Sequence, residues 1–424
     1  MRIAVIGSGI AGNVAAYKLA ADHDITVYEA NHWIGGHTNT VDVEDDERTL
    51  AVDTGFIVFN DRTYPNFIRI LDEIGQPSRD SEMSFSVQSR STGLEYCGST
   101  LNTLFADRRN LLRPGFHRMI RDILRFNREA LDSLQLESPA ETVGGYLERH
   151  GYSVEFRDNY LVPMAAAIWS AEPVAIELMP LRFLVQFFEN HGLLQLKNRP
   201  QWKTIIGGSR EYVRKLTQGF ADRIRLRTPV RKIRRFSDHV EVFTDAGGPE
   251  TFDAVFIACH SDQALSMLVE PTPAEAEVLS AIKYQDNVAV LHCDEKIMPR
   301  RRLAWASWNY HLPGVERQQV AVTYNMNILQ GLDARRQYMV TLNDDSAIDP
   351  DRVIRRIQYQ HPVFSLESVA AQALQAEVNV DRTFFCGAYW RHGFHEDGVV
   401  SALNAVAHFE ARLASGQLHL RRAG

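Results

Sequence analysis

The first twelve residues constrain this chain more than any other stretch of it. Ile3-Ala4-Val5-Ile6 is an uninterrupted apolar run, and Gly7-Ser8-Gly9-Ile10-Ala11-Gly12 follows without a spacer. The segment through Ala15, Ala16, Leu19 and Ala20 then reads as a helix. A buried strand turning through G-x-G-x-x-G into a helix opens a dinucleotide-binding α/β unit. Gly7 makes the turn, Gly9 lets backbone approach a pyrophosphate, and Gly12 lets helix and strand touch. The pyrophosphate is expected over Ile10 and Ala11, in the positive first turn of the helix. A second strand, Ile25–Tyr28, ends at Glu29-Ala30. An acid at that strand end accepts ribose hydroxyls and repels a 2′-phosphate, which argues against NADP.

Glu29-Ala30 is followed after a short loop by Gly35-Gly36-His37-Thr38. With this pattern the chain resembles the flavin-containing amine oxidase and phytoene desaturase superfamily. Later segments carry the same likeness: Val52-Asp53-Thr54-Gly55, then Ile205-Ile206-Gly207-Gly208-Ser209 opening a helix, then Thr228-Pro229-Val230. Near the carboxyl end, Phe384-Phe385-Cys386-Gly387 reads as a buried strand, and Gly398-Val399 as the start of a helix. The intervening blocks are similar to bacterial flavoproteins associated with fatty-acid modification. The resemblance implies a glutathione-reductase-like, Rossmann-type α/β FAD domain interleaved with an α+β substrate domain. It implies FAD, with Val230 backbone at the adenine and Gly387, Asp397, Gly398 and Val399 at the flavin. A helix N-terminus there would stabilise the negative charge of a reduced flavin.

Three positions depart from the family pattern. His37 stands where many members have Arg, and Ala388-Tyr389 where many have an acid, leaving Asp397 or backbone to meet the ribityl or phosphate. Asn287, within Tyr284–Leu291, stands where amine oxidases commonly place a Lys near the flavin. No attachment motif surrounds Cys386, so FAD is expected to be non-covalent.

Composition narrows the remaining classes. The 424 residues are 45% hydrophobic and 23% charged, as in an ordinary globular protein, and the net charge is −7. No nucleic-acid partner is expected of so acidic a chain. Cys97, Cys259, Cys293 and Cys386 lie far apart, and His392 and His395 lack zinc-site spacing. No metal is expected. No apolar run reaches the ~20 residues of a membrane span, and cleaving a signal peptide would destroy the first strand. The expected location is cytoplasmic, with contact to the inner face of the membrane left open. The motifs place a FAD domain on residues 1–75, 195–270 and 380–424, and a substrate domain on 76–194 and 271–379.

Within the substrate half, Arg118, Arg121, Arg125 and Arg128 share one face of a helix, with Met119, Ile120, Ile123 and Leu124 assigned largely to the opposite face. Arg121 and Arg125 are candidates for an anionic head group, the competing reading being a solvated face paired with Asp107, Asp122 and Glu129. Tyr160–Leu196 is dense in apolar residues and reads as a core or as an acyl tunnel. Tyr389 and Trp390 are candidate substrate-facing aromatics. His37, His392, His395 and Asn287 are the catalytic candidates. The expected function is FAD-dependent hydride removal from a hydrophobic substrate, with fatty-acyl desaturation preferred. A flavin amine oxidase, a redox-neutral fatty-acid isomerase and a non-catalytic flavin-binding partner remain open. The sequence leaves the oligomeric state undetermined.

Overall fold

A computed structural model describes residues 1–89, 91–135, 140–195, 197–312 and 321–418. Strand β1 (Arg2–Ile6) is buried from Ile3 onward, and helix α1 (Ile10–Leu19) returns over it toward β2 (Asp24–Tyr28). The resulting parallel sheet runs in the order Ile224–Arg225, β2, β1, Ala254–Ile257, Thr383–Phe385. Its central strands, β1 and Ala254–Ile257, are covered on both faces, which is why they read as unbroken apolar runs. One face packs Val14, Leu19, Phe256, Phe384 and Phe409; the other packs Ile6, Tyr28, Val255, Ile257 and Phe385.

Helix α2 (Pro114–Glu129) lies among the helices of the middle segment. Beside it is a seven-stranded sheet that includes β3 (Lys283–His292) and β4 (Val353–Val363), paired antiparallel at its edge. This sheet draws on residues 85–97 and 283–363, whereas the parallel sheet draws on 2–28, 224–257 and 383–385. The apolar stretch after Tyr160 folds as short helices whose Phe183, Leu184, Phe187 and Phe188 are buried core side chains.

Two expectations about helices are corrected. The last helix, α3 (His395–Ala414), begins at His395 and not at Gly398. The Asp397 carboxylate accepts the Phe394 N–H at 2.9 Å, which lets the helix start one turn earlier. In α2, Leu124 does not join Met119 in the core; it is 50% exposed and lies among the arginines.

Candidate active site

The glycine-rich turn gives a surface that only a ligand could cover. A Cβ on Gly12 would stand 1.9 Å from the Gly7 carbonyl oxygen, so α1 can pack on β1 only without one. At Gly9, by contrast, a Cβ would meet nothing within 4 Å: the turn is open there. Gly36 approaches this opening, its ideal Cβ 3.2 Å from Gly9 Cα. Gly398 seats α3 against Ile10, where a Cβ would lie 2.6 Å from Cγ2. The N-terminal turns of α1 and α3 and the Gly35-Gly36 turn therefore meet at one place. Gly9 caps α1 without a side-chain hydrogen bond, leaving the first-turn N–H groups, including those of Ile10 and Ala11, to an anion.

Glu29 is buried at the end of β2. Its Oε2 accepts Ser8 N–H at 2.9 Å and Ser8 Oγ–H at 2.6 Å, and its Oε1 accepts Asn31 N–H at 2.8 Å. Ala30 beside it is exposed. Backbone bonds from Thr228 N to Glu29 O (2.8 Å) and Arg227 N to Asn31 O (2.9 Å) bring the segment leading into Val230 against this strand end. The glycine turn, Glu29 and the segment leading into Val230 are thus contiguous, in the order that the adenosine half of a dinucleotide would need.

On the other side of the Gly35-Gly36 turn, three imidazoles gather. His37 stacks on Tyr359 at 4.8 Å and lies 5.2 Å from His361; His260 stacks on Tyr284 at 4.3 Å. Burial, reinforced by His361, drives His37 well below the ordinary imidazole value. Burial likewise holds His361 at about 4 and lowers His260. All three are neutral at pH 7.

The proton on His361 can be placed. Val288 N–H donates to Asn343 Oδ1 at 3.0 Å, and a backbone donor cannot be reversed. Asn343 Nδ2 therefore donates to Asn287 Oδ1 (2.6 Å), and Asn287 Nδ2 donates to His361 Nδ1 (2.9 Å). His361 consequently carries its proton on Nε2. His37 Nε2 and His260 Nδ1 are buried without a hydrogen-bond partner. Buried polar atoms left unpaired cost free energy, so each of these calls for a partner, a water or a ligand.

The remaining candidates separate. Thr38 Oγ1 and Tyr212 Oη both meet His395 Nε2, at 3.1 and 2.8 Å, and His395 stacks on Phe56 at 3.5 Å. That ring is committed to packing. His392 stacks on Phe183 at 4.5 Å, and its carbonyl accepts Trp169 Nε1–H at 3.1 Å, so it belongs to an aromatic wall. Gly387 donates nothing to the glycine turn; its N–H is given to Ser401 Oγ at 2.9 Å. Asp397 serves its own loop, with Arg391 3.6 Å away, and burial raises it to about 6. Val399 is buried in the α3 face toward α1. Tyr389 and Trp390 are buried, 5.1 Å apart, and their polar atoms lack a well-formed hydrogen bond. Arg121 and Arg125 lie on α2, in a separate concavity. Sequence reasoning missed His260, His361, Tyr284, Tyr359 and Asn343. His260 stands just past the C-terminal end of a parallel strand, the edge where such sheets bind ligands, and that signal could have found it.

The open glycine turn, the buried acid at the strand end and the unpaired buried nitrogens fit FAD, and together with the fold they define a dinucleotide-binding flavoprotein. The sequence profile of the flavin-containing amine oxidoreductases matches residues 10–301. The chain belongs to that family, and it is an FAD-dependent oxidoreductase. Solved structures share the fold across nearly the whole length. Cyclohexylamine oxidase from Brevibacterium oxydans is 16% identical with a TM-score of 0.71, covering 97% of this chain and 99% of its own. Putrescine oxidase bound to putrescine is 15% identical, TM-score 0.68, covering 97% and 100%. A CLA-producing fatty acid isomerase from P. acnes is 16% identical, TM-score 0.70, covering 96% and 98%. A search of curated protein sequences gives no match.

Proposed function

We propose that this chain takes hydride from the acyl chain of a fatty acid or lipid and leaves a carbon–carbon double bond. FAD, when bound, supplies the hydride acceptor. His37 Nε2, neutral and unpartnered, is the acceptor for the proton lost from the neighbouring carbon. His361, fixed with its proton on Nε2 by Asn287, serves as a donor and orients what lies beside it. Phe183, Phe187, Phe364 and Phe394 around His392 offer an apolar wall against which a chain can lie.

The observation that carries this reading is that the imidazoles gathered near Asn287, His37, His361 and His260, are all held neutral. A methylene buried there contributes ~0.8 kcal/mol. An alkylamine is a cation at pH 7, and shedding its proton before entry costs about 4–5 kcal/mol for a pKa near 10.4. A second reading is favoured by the juxtaposition of an unpartnered His37 Nε2 and a protonated His361 Nε2: together they can move a proton between carbons, which is isomerisation without net oxidation. The test is anaerobic mixing of the FAD-loaded protein with fatty-acyl, phospholipid and amine substrates, following the oxidised flavin band. Bleaching by acyl substrates alone is expected. Bleaching by amines alone overturns the proposal, and double-bond movement without bleaching selects the isomerase.

A further inference from the structure

We infer that the face of the middle segment built around α2 docks on a bilayer bearing anionic lipid. Residues 101–129 carry seven arginines against Asp107, Asp122 and Glu129, a surplus of four positive charges in a chain whose net charge is −7. The acids do not cancel the outer arginines. Asp107 is buried against Arg109 and Arg301, and Asp122 is buried and accepts Ser153 N–H at 3.0 Å. Glu129 is shared by Arg125 and Arg128, while Arg118 reaches Glu155 only at 3.4 Å. His117, Arg121, Leu124 and Arg128 follow one another up the exposed face of α2. Arg118, Arg121, Leu124, Arg125 and Arg128 line a concavity of about 440 Å³.

The second observation is where the leucines stand. Leu112 is 86% exposed and Leu101 78%, with Leu111 and Val154 also in solvent. Arg108 ties the two turns together, donating to Asn102 Oδ1 at 2.6 Å and to Phe105 O at 2.8 Å. His117 Nε2 meets Leu111 O at 2.9 Å, which seats this leucine turn on the N-terminal end of α2. Apolar tips rimmed by guanidinium groups match a bilayer surface in both respects: leucines enter the acyl boundary while arginines meet phosphates. A soluble acidic partner would match the arginines but leave the leucines unexplained. Each arginine brought to an anionic surface raises partitioning about fivefold.

The docking stands on this surface alone and does not depend on the proposed substrate; vesicle binding and flavin bleaching are read separately. The test is co-sedimentation of the full FAD-loaded chain with phosphatidylglycerol/phosphatidylcholine vesicles and with phosphatidylcholine alone. Binding to the anionic vesicles is expected, weakening with salt. Leu111→Ser/Leu112→Ser and Arg121→Glu/Arg128→Glu should each lower it at least tenfold, with the flavin spectrum and melting temperature unchanged. Leu112→Trp fluorescence should be quenched by brominated acyl chains. The inference is overturned if the anionic vesicles do not bind, if both double variants bind as the parent does, or if the leucine variant instead abolishes self-association of the free protein.

Discussion

Glu29 is a buried carboxylate that ties two turns together and is placed to accept a ribose hydroxyl as well. It accepts Ser8 N–H, Ser8 Oγ–H and Asn31 N–H, and a carboxylate still has a lone pair left for a ribose hydroxyl. Glu29→Ala is expected to weaken FAD binding about ten- to a hundredfold. It should also destabilise the flavin-free protein by about 1–3 kcal/mol, because buried donors lose their acceptor. An unchanged dissociation constant by fluorescence titration would place the acid away from the ribose. The imidazole beside Asn287 gives a second expectation. In ¹⁵N-histidine-labelled protein, His361 should show the Nε2–H tautomer, and Asn287→Ala should lose that preference; a parent Nδ1–H signal would contradict the asparagine relay. Glu29 and the glycines were legible because a local motif carries them. The His361–Asn287–Asn343 relay was not, because it depends on β3 and β4 pairing Gln285 with His361 across a long separation.

Among the elements, α1 separates two glycines that the motif treats alike. Gly12→Ala would drive a Cβ into the Gly7 carbonyl, so the helix must lift from β1. The variant should lose at least 1–3 kcal/mol of stability without any cofactor present, as overpacked sites do. Gly9→Ala meets open space and should leave the flavin-free melting temperature nearly unchanged while weakening FAD binding. Equal melting losses in both would show that the turn is not open at Gly9. The elements themselves were largely readable, since strand runs and helix punctuation are local signals. Leu124 was misassigned although the period already carried the answer: it lies three residues after Arg121 and four before Arg128, on their face and not on that of Met119.

At the scale of the whole molecule, burial of histidine sets the response to acid. His191, His292 and His361 are lowered to about 4, and His392 and His395 to about 3. The unfolded chain binds protons at these rings from about pH 6.5 downward, whereas the folded chain does not. Their stabilisation is complete above pH 6.5 and is lost as pH falls toward 4, by at most about 2 kcal/mol each at pH 5. Asp53 and Asp397, raised to about 6 by burial, act oppositely: folding favours their protonated form, and that contribution is lost as pH rises from 3.8 to 6. The five histidines outweigh the two acids. The melting temperature should therefore fall steadily between pH 7 and 5 in a calorimetric series, and a flat or rising profile would mean that these rings are hydrated and charged.

The order of strands in the parallel sheet has a consequence in time. β1 lies between β2 and Ala254–Ile257, a partner that a ribosome makes roughly 250 residues after it. At about 5–20 residues per second, one edge of β1 waits roughly 12 to 50 s for its neighbour. During that interval Ile3, Val5 and the small-residue face of α1 have no second sheet face to enter. An unpaired apolar edge recruits other chains, so the interval before the late strands arrive is when the nascent protein is most exposed to aggregation.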